Sequence, residues 1–488
     1  MKPLHLFITI LLVSLQVCAQ STYQPNWTSL DSRPIPKWYT DAKFGIFIHW
    51  GPYSVPAFSK VGEYSEWYWM NLVNPNRDKN GYDETNAFHN KVYGKNFTYP
   101  DFVPMFNCNM YNPDQWADIF KKSGAKYVVL TSKHHDGYTL WPSKEADKSW
   151  GRPWSSTNSG PGKDLLGELT NAVRKTDLKM GIYYSLYEWF NPLYTSDVNL
   201  YVDKHMVPQF KDVVESYAPS IIFTDGEWDY PHTTWRATEL LSWLYNESAS
   251  KEDVVINDRW GKETRHKHGG YYTTEYGSGM PNADVPWEEN RGMAYSFGYS
   301  ITENFEDYNS TQELLYMLID IVSRGGNFLL DIGPTADGRI PVIMQERLIE
   351  MGDWLNVNGE AIYGTSLHEQ TCQWTKGTVA DAERGRYKVK YDVMKLTVAP
   401  DEGMATKEIF FTKKGKTLYA ICPVYPKNEL IVKNIKLKPT SKISMLGSAE
   451  SLKWQQKGKH VVIEIPALSP SEVPCKHAWT FKISDVVD

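Results

Sequence analysis

Six times along this chain an apolar run of strand length stops abruptly at polar side chains, and that rhythm restricts the fold more than any other feature. Ser220-Ile-Ile-Phe-Thr-Asp-Gly-Glu-Trp-Asp-Tyr230 is the clearest case. Phe44 to Ile48 runs into His49-Trp50-Gly51, and Tyr127 to Leu130 into Lys133-His134-His135-Asp136-Gly137. Gly181 to Tyr184 ends at Ser185, Val254 to Ile256 at Asn257-Asp258-Arg259, and Asn327 to Leu330 at Asp331. Runs that are apolar on both faces suit strands of a parallel sheet covered by helices. Polar residues at the end of each strand put chemistry on one rim of a parallel barrel. An enzyme is the expectation.

The intervening segments read as helices. Asn112-Pro113 offers an N-cap and a proline at the first helical position, with Trp116, Ile119 and Phe120 on one face. Asp164 to Thr176, Val198 to Tyr217 and Ile343 to Val357 carry helical periodicity, and Ser310-Thr-Gln-Glu313 has capping-box spacing ahead of Leu314 to Ser323. After about residue 368 the texture changes to short strands between Gly, Pro and Lys-rich turns, over Thr378 to Val398, Glu408 to Val424, Leu430 to Leu437, Ile443 to Leu446, His460 to Ile465 and His477 to Ile483. The fold class expected is α/β: a (β/α)8-like barrel over 21–368, followed by an antiparallel β-sandwich over 369–488. At 488 residues the chain has room for both.

Residues 1–20 read as a secretory signal, with Lys2 as the positive end, Leu4 to Val17 as the apolar stretch and Val17-Cys18-Ala19 as the cleavage site. Lipidation of Cys18 is the alternative, and Leu15-Gln16-Val17-Cys18 is a poor match to it. Export follows, to a periplasmic, lysosome-like or extracellular location depending on the host, the periplasm if it is bacterial. No apolar segment is long enough for a comfortable membrane span. A net charge of −6 without a basic cluster argues against nucleic acid. The remaining four cysteines give neither zinc spacing nor a disulfide framework. The 19 Trp and 31 Tyr are compatible with a sugar ligand, whose C–H faces stack on aromatic rings, and equally with an aromatic core.

Carboxylates, histidines, aromatics and one arginine at the strand ends, with no glycine-rich phosphate loop, suit glycoside hydrolysis, in which a carboxylate pair does the chemistry. The candidate acids are Glu63, Glu66, Asp136, Asp225, Glu227, Asp229, Asp258, Glu288 and Glu289, and spacing alone selects no pair. His134-His135 lacks a third ligand at metal spacing, so neither a metal nor a cofactor is expected. Glu227 and Asp229 read as solvated loop charges, and Asp331 as a hydrogen-bonding residue of the barrel core.

The ordered motifs Phe44 to Gly51, Ser65-Glu66-Trp67-Tyr68, Lys133 to Gly137, Thr224-Asp225-Gly226-Glu227-Trp228, Asn257-Asp258-Arg259-Trp260-Gly261 and Gly325-Gly326-Asn327 to Pro334 resemble those of the α-L-fucosidases of glycoside hydrolase family 29. The resemblance runs from about Trp38 to Thr365 and more weakly to Trp479. It implies a retaining exo-hydrolase that removes terminal α-L-fucose from a fucosylated glycan through a covalent intermediate. Carried over residue by residue, it makes Asp225 the nucleophile and Glu288 of Trp287-Glu288 the acid/base, with Glu289 as the neighbouring alternative. It makes His49, Glu66, Trp67, His134, His135, Tyr184, Arg259 and Phe297 the sugar-binding set. Tyr183 adjoins Tyr184, and strand neighbours face opposite ways. A non-catalytic fucose-binding protein on the same scaffold and a related α-L-galactosidase are the rival readings.

Overall fold

The computed structural model describes residues 22–277, 279–280, 285–380 and 391–487, and residues 1–20, read above as a signal, lie outside them. Eight parallel strands curl into one sheet: β1 (Phe44–Ile48), β2 (Tyr127–Lys133), β3 (Lys179–Ser185), β4 (Ile221–Asp225), β5 (Val255–Ile256), β6 (Tyr272–Glu275), β7 (Trp287–Gly292) and β8 (Asn327–Ile332). Their order, β5-β4-β3-β2-β1-β8-β7-β6, is that of a barrel left unlaced at one seam. There Tyr271 N donates to Ile256 O at 3.1 Å, so the rim still closes around the site. The six expected runs are β1 to β5 and β8. The other two, β6 and β7, are short and polar.

Alternation along each strand sorts side chains into two cores. Phe47, Tyr127, Val129, Tyr183, Ile221, Phe223 and Leu329 fill the barrel, floored by Tyr39 and Tyr271. Ile46, Ile48, Val128, Ile182, Tyr184, Ile222 and Leu330 face the helices outside. Gly45 allows this packing, because a Cβ there would sit 2.2 Å from the Tyr127 ring.

The helical signals act as their chemistry requires. Asn112 caps Pro113–Lys122 by accepting from Gln115 N at 3.0 Å, and Asp164 caps Leu165–Val173. Ser310 and Glu313 form a capping box at the start of Thr311–Ser323. The 198–217 segment is not one regular helix: a wide π turn, Val202–Met206, separates Val198–Tyr201 from Val207–Tyr217. None of the described helices is long and apolar enough to cross a membrane.

From Cys372 onward the strands are antiparallel. A five-stranded sheet orders Ile443–Met445, Trp479–Ile483, Thr417–Cys422, Lys407–Lys414 and Cys372–Trp374, and a three-stranded sheet orders Glu429–Lys433, His460–Glu464 and Trp454–Lys457. Ile409, Phe411, Leu418, Val432, Val461 and Ile463 pack between them. The strand expected over 378–398 is not found in its described parts, where Thr378 makes only an isolated bridge to Met404; residues 381–390 of it lie outside the described ones. This unit docks on the barrel helices, where Trp354 Nε1 donates to Ala478 O at 2.8 Å and Tyr316 Oη to Pro423 O at 2.8 Å.

Candidate active site

A cavity of about 510 Å³ opens at the C-terminal end of the strands. Phe47 and Phe223 close its deep end. Asp225, the last residue of β4, reaches into it. Gly226 turns the chain there at φ +74°, and a Cβ would lie 2.2 Å from the Tyr187 ring, so no other residue fits. Asp225 Oδ1 accepts from Arg259 Nη1 at 2.8 Å, and Oδ2 from Tyr183 Oη at 3.0 Å. Arg265 Nη2 stands 3.5 Å from Oδ1. Burial alone would raise the Asp225 carboxyl, but the Arg259 and Arg265 guanidiniums and the hydrogen bonds from Arg259 and Tyr183 outweigh it and hold the group below the usual carboxylate range.

Arg259 spans the site. Its Nη2 donates to Glu275 Oε2 at 3.1 Å, and its Nε to Thr273 Oγ1 at 3.0 Å. Asp258 is occupied in shaping this loop, accepting from Thr273 Oγ1 at 2.7 Å and His266 N at 2.8 Å. Glu275 ends β6 and lines the cavity.

Polar groups suited to sugar hydroxyls ring the pocket. His49 Nδ1 meets Asp331 Oδ1 at 2.6 Å, and its ring stacks on Phe297 with centroids 4.8 Å apart. Burial pushes the His49 imidazole well down and the Asp331 carboxyl well up. His134, pushed down to about 3 by burial, stacks on Tyr183. His135 Nδ1 lies 2.7 Å from Ser185 Oγ. Glu66 accepts from Gly298 N at 2.9 Å, and burial pushes its carboxyl up to about 7. Trp67 lies under the Arg77 guanidinium, 4.3 Å from the ring centroid. His49, Glu66, Trp67, His134, His135, Arg259 and Phe297 thus gather with Asp225 in one cavity.

Two of the residues carried over by resemblance are not brought there. Tyr184 faces outward and donates to Gln209 Oε1 at 2.8 Å, while Tyr183 points inward to Asp225. Glu288 points into the barrel but one layer too deep. Its strand neighbour two residues on, Asn290, lines the cavity and pairs in register with Glu275, whereas Glu288 pairs with Thr273. Glu288 Oε2 accepts from Tyr39 Oη at 2.9 Å and from Tyr127, with burial pushing the carboxyl up to about 7. Glu289 faces the other way, toward Thr274 and Arg291. The glutamate that lines the cavity against Arg259 is instead Glu275, which no apolar run announces. The signal it does carry is Thr274-Glu275-Tyr276-Gly277, an acid closing a strand just before a glycine, as in Thr224-Asp225-Gly226. Glu227 is likewise not a solvated charge. It is 1% exposed, lines the cavity, and accepts from Arg265 Nε. Asp136 turns away to accept from Tyr99 Oη at 2.7 Å. Among the described residues no three His, Cys, Asp or Glu side chains converge as metal ligands.

Comparison with known proteins gives this geometry its context. A family model described as alpha-L-fucosidase matches residues 10–360, and one described as alpha-L-fucosidase C-terminal domain matches 402–484. An alpha-L-fucosidase of Dictyostelium discoideum is 48% identical over 375 residues, covering 75% of this chain and 79% of its own. Human tissue alpha-L-fucosidase is 41% identical over 476 residues, covering 95% of this chain and 92% of its own. The Thermotoga maritima alpha-fucosidase in complex with fucose aligns at a TM-score of 0.75 and 32% identity, over 94% of this chain and 100% of that one. The same enzyme with a mechanism-based inhibitor aligns at 0.75 and 31%, over 95% and 100%.

Proposed function

The chain belongs to the α-L-fucosidase family, and from that premise we propose that it hydrolyses terminal α-L-fucosyl residues by double displacement, with Asp225 as nucleophile and Glu275 as acid/base. The observation that carries the assignment is the shared guanidinium: Arg259 holds Asp225 by Nη1 at 2.8 Å and Glu275 by Nη2 at 3.1 Å. Two carboxylates tied to one cation suit the close spacing of retaining enzymes, about 5–5.5 Å, better than the wider gap that leaves room for water between them.

In the first step an Asp225 oxygen attacks the anomeric carbon. The bond to the leaving oxygen breaks with its electron pair, and Glu275 gives that oxygen its proton. In the second step Glu275 takes a proton from water, the water oxygen bonds to the anomeric carbon, and Asp225 leaves as carboxylate. Tyr183 and Arg259 stabilise the carboxylate before attack and after release. His49, His134, His135 and Glu66 bind the ring hydroxyls. The adjoining rings of Phe47, Phe223 and Phe297 make an apolar corner for the C5 methyl. A C5 hydroxymethyl would bury an unpaired hydroxyl there, which disfavours the α-L-galactosidase reading. The leader-like residues 1–20 support export of this activity from the cytosol.

The test is hydrolysis of 4-nitrophenyl α-L-fucoside followed by NMR. The wild type releases α-L-fucose as the first sugar product, Asp225→Ala loses nearly all turnover, and azide then yields β-fucosyl azide. First release of β-L-fucose overturns double displacement. No turnover, with a thermal shift on adding fucose, returns the chain to the binding-protein reading.

A further inference from the structure

A pocket that closes at its deep end on Phe47 and Phe223 admits one terminal sugar, so whatever carries that sugar leaves through the mouth. The mouth is unevenly furnished. Part of its lining is polar, with Glu63 accepting from Asn80 Nδ2 at 3.0 Å. Trp228 lines the same cavity yet is 38% exposed. Other tryptophans at the strand ends are buried: Trp50 is 1% exposed, Trp189 5% and Trp260 0%. A bare indole at the entrance leaves apolar surface without a partner.

Its orientation is fixed. His135 and Tyr187 meet it edge-on, with centroids 5.7 Å and 5.5 Å away and interplanar angles of 77° and 72°. It lies within 19° of parallel to Trp67, 6.5 Å away, and both rings line the same cavity. Cationic donors share the cavity with it: the Arg265 guanidinium lies over the indole, 6.0 Å from its centroid, and Lys262 also lines the cavity. A rigid exposed aromatic plane beside charged hydrogen-bond donors recognises a pyranose ring, its C–H face against the indole and its hydroxyls toward the donors.

We propose that Trp228, with Arg265 and Lys262, forms a subsite for the sugar to which fucose is attached, so that the aglycones preferred are hexopyranosides stacked on this indole. The inference rests on the fucosidase reading above and deepens it. Trp228 acts as a specificity-determining residue.

The experiment compares kcat/KM of the wild type, Trp228→Ala and Trp228→Phe on α-L-fucosyl fluoride, which has no aglycone sugar, and on the best-cleaved member of a set of fucosyl-hexose disaccharides. In Trp228→Ala the disaccharide is expected to lose roughly tenfold more than the fluoride, the scale of one lost stacking contact. Trp228→Phe is expected to recover part of that loss, because a ring remains. Equal losses on both substrates, or no loss on either, overturn the subsite. So does a wild type that cleaves the fluoride but no disaccharide. A wild type inert to the fluoride as well refutes instead the fucosidase reading on which the subsite rests.

Discussion

Asp225 ends β4 and Glu275 ends β6, with β5 and the open seam between them, and the two are joined by a single side chain, Arg259, which is 2% exposed. Three groups therefore form one electrostatic unit, and substitutions within it separate the two carboxylate roles.

Glu275→Ala should cut kcat/KM on substrates with poor leaving groups by about 10²–10⁴-fold, the usual weight of general acid catalysis. Activated aryl fucosides should lose far less in the glycosylation step, and azide should intercept the intermediate as α-fucosyl azide. Glu288→Gln keeps the shape of a buried group that meets Tyr39 and Tyr127, and should act without regard to leaving group. A leaving-group-dependent loss in Glu288→Gln, absent in Glu275→Ala, would reverse the assignment.

Tyr183 and Tyr184 differ only in which way the strand turns them. Tyr183→Phe deletes a donor to the ionised Asp225, a bond worth about 1.5–3 kcal/mol, so kcat/KM should fall roughly 10–100-fold with the melting temperature nearly unchanged. Tyr184→Phe deletes a buried contact to Gln209 outside the barrel, and should lower stability by about 1 kcal/mol while leaving kcat in place. Kinetics and thermal melts on both variants read the two patterns.

The acid limb of activity tests how Asp225 is kept ionised. Its carboxyl lies below the usual range because two guanidiniums outweigh its burial, so the wild type retains its nucleophile well into acid. Arg265→Met removes the cation 3.5 Å away. The Asp225 carboxyl then rises and the acid limb of kcat/KM should move to higher pH, by about one unit. A limb that stays put or moves down contradicts this electrostatic account.

Asp331 has the opposite sign. Burial holds its carboxyl well above the ordinary value, so over pH values from about 3.9 upward the unfolded chain has released a proton that the folded protein keeps. Folding then takes up a proton, and this residue's contribution to stability declines as pH rises toward the folded value. Asp331→Asn removes that slope. Its melting temperature should gain on the wild type between pH 4 and pH 8, with a smaller kinetic penalty than Asp331→Ala, which leaves His49 without its 2.6 Å partner.

How far the sequence discloses this site depends on the strand. In β1 to β5 and β8 an apolar run ends in polar groups, so their order and the position of Asp225 can be read directly. Gly181-Ile-Tyr-Tyr184 is apolar on both faces, and without alternation nothing marks Tyr183 as the inward residue. Thr273-Thr-Glu275 and Trp287-Glu-Glu-Asn290 offer no apolar run, so their register, and with it the depth of Glu288 against Glu275, appears only once the strands are paired. Glu227 looks solvated because the arginine that neutralises it comes 38 residues later.

The contact between the two units of the chain can be ranked in the same way. Asp320, on the barrel helix Thr311–Ser323, accepts from Arg324 Nη2 at 2.8 Å, from Tyr391 Oη at 2.8 Å, and from Lys407 of the antiparallel unit. Asp320 is 2% exposed, Arg324 3% and Lys407 5%. Removing one member of a buried charged cluster costs what the remaining charges lose, about 3–5 kcal/mol where a charge is left uncompensated. Asp320→Asn strips both cations of their counterion and should be the most damaging change. Lys407→Met leaves Asp320 with Arg324 and should cost less. Lys407→Met placed on Asp320→Asn should recover part of the loss, because one stranded cation is gone. Chemical denaturation of the three variants checks the order. Strictly additive losses would mean that Lys407 and Asp320 do not interact across this junction.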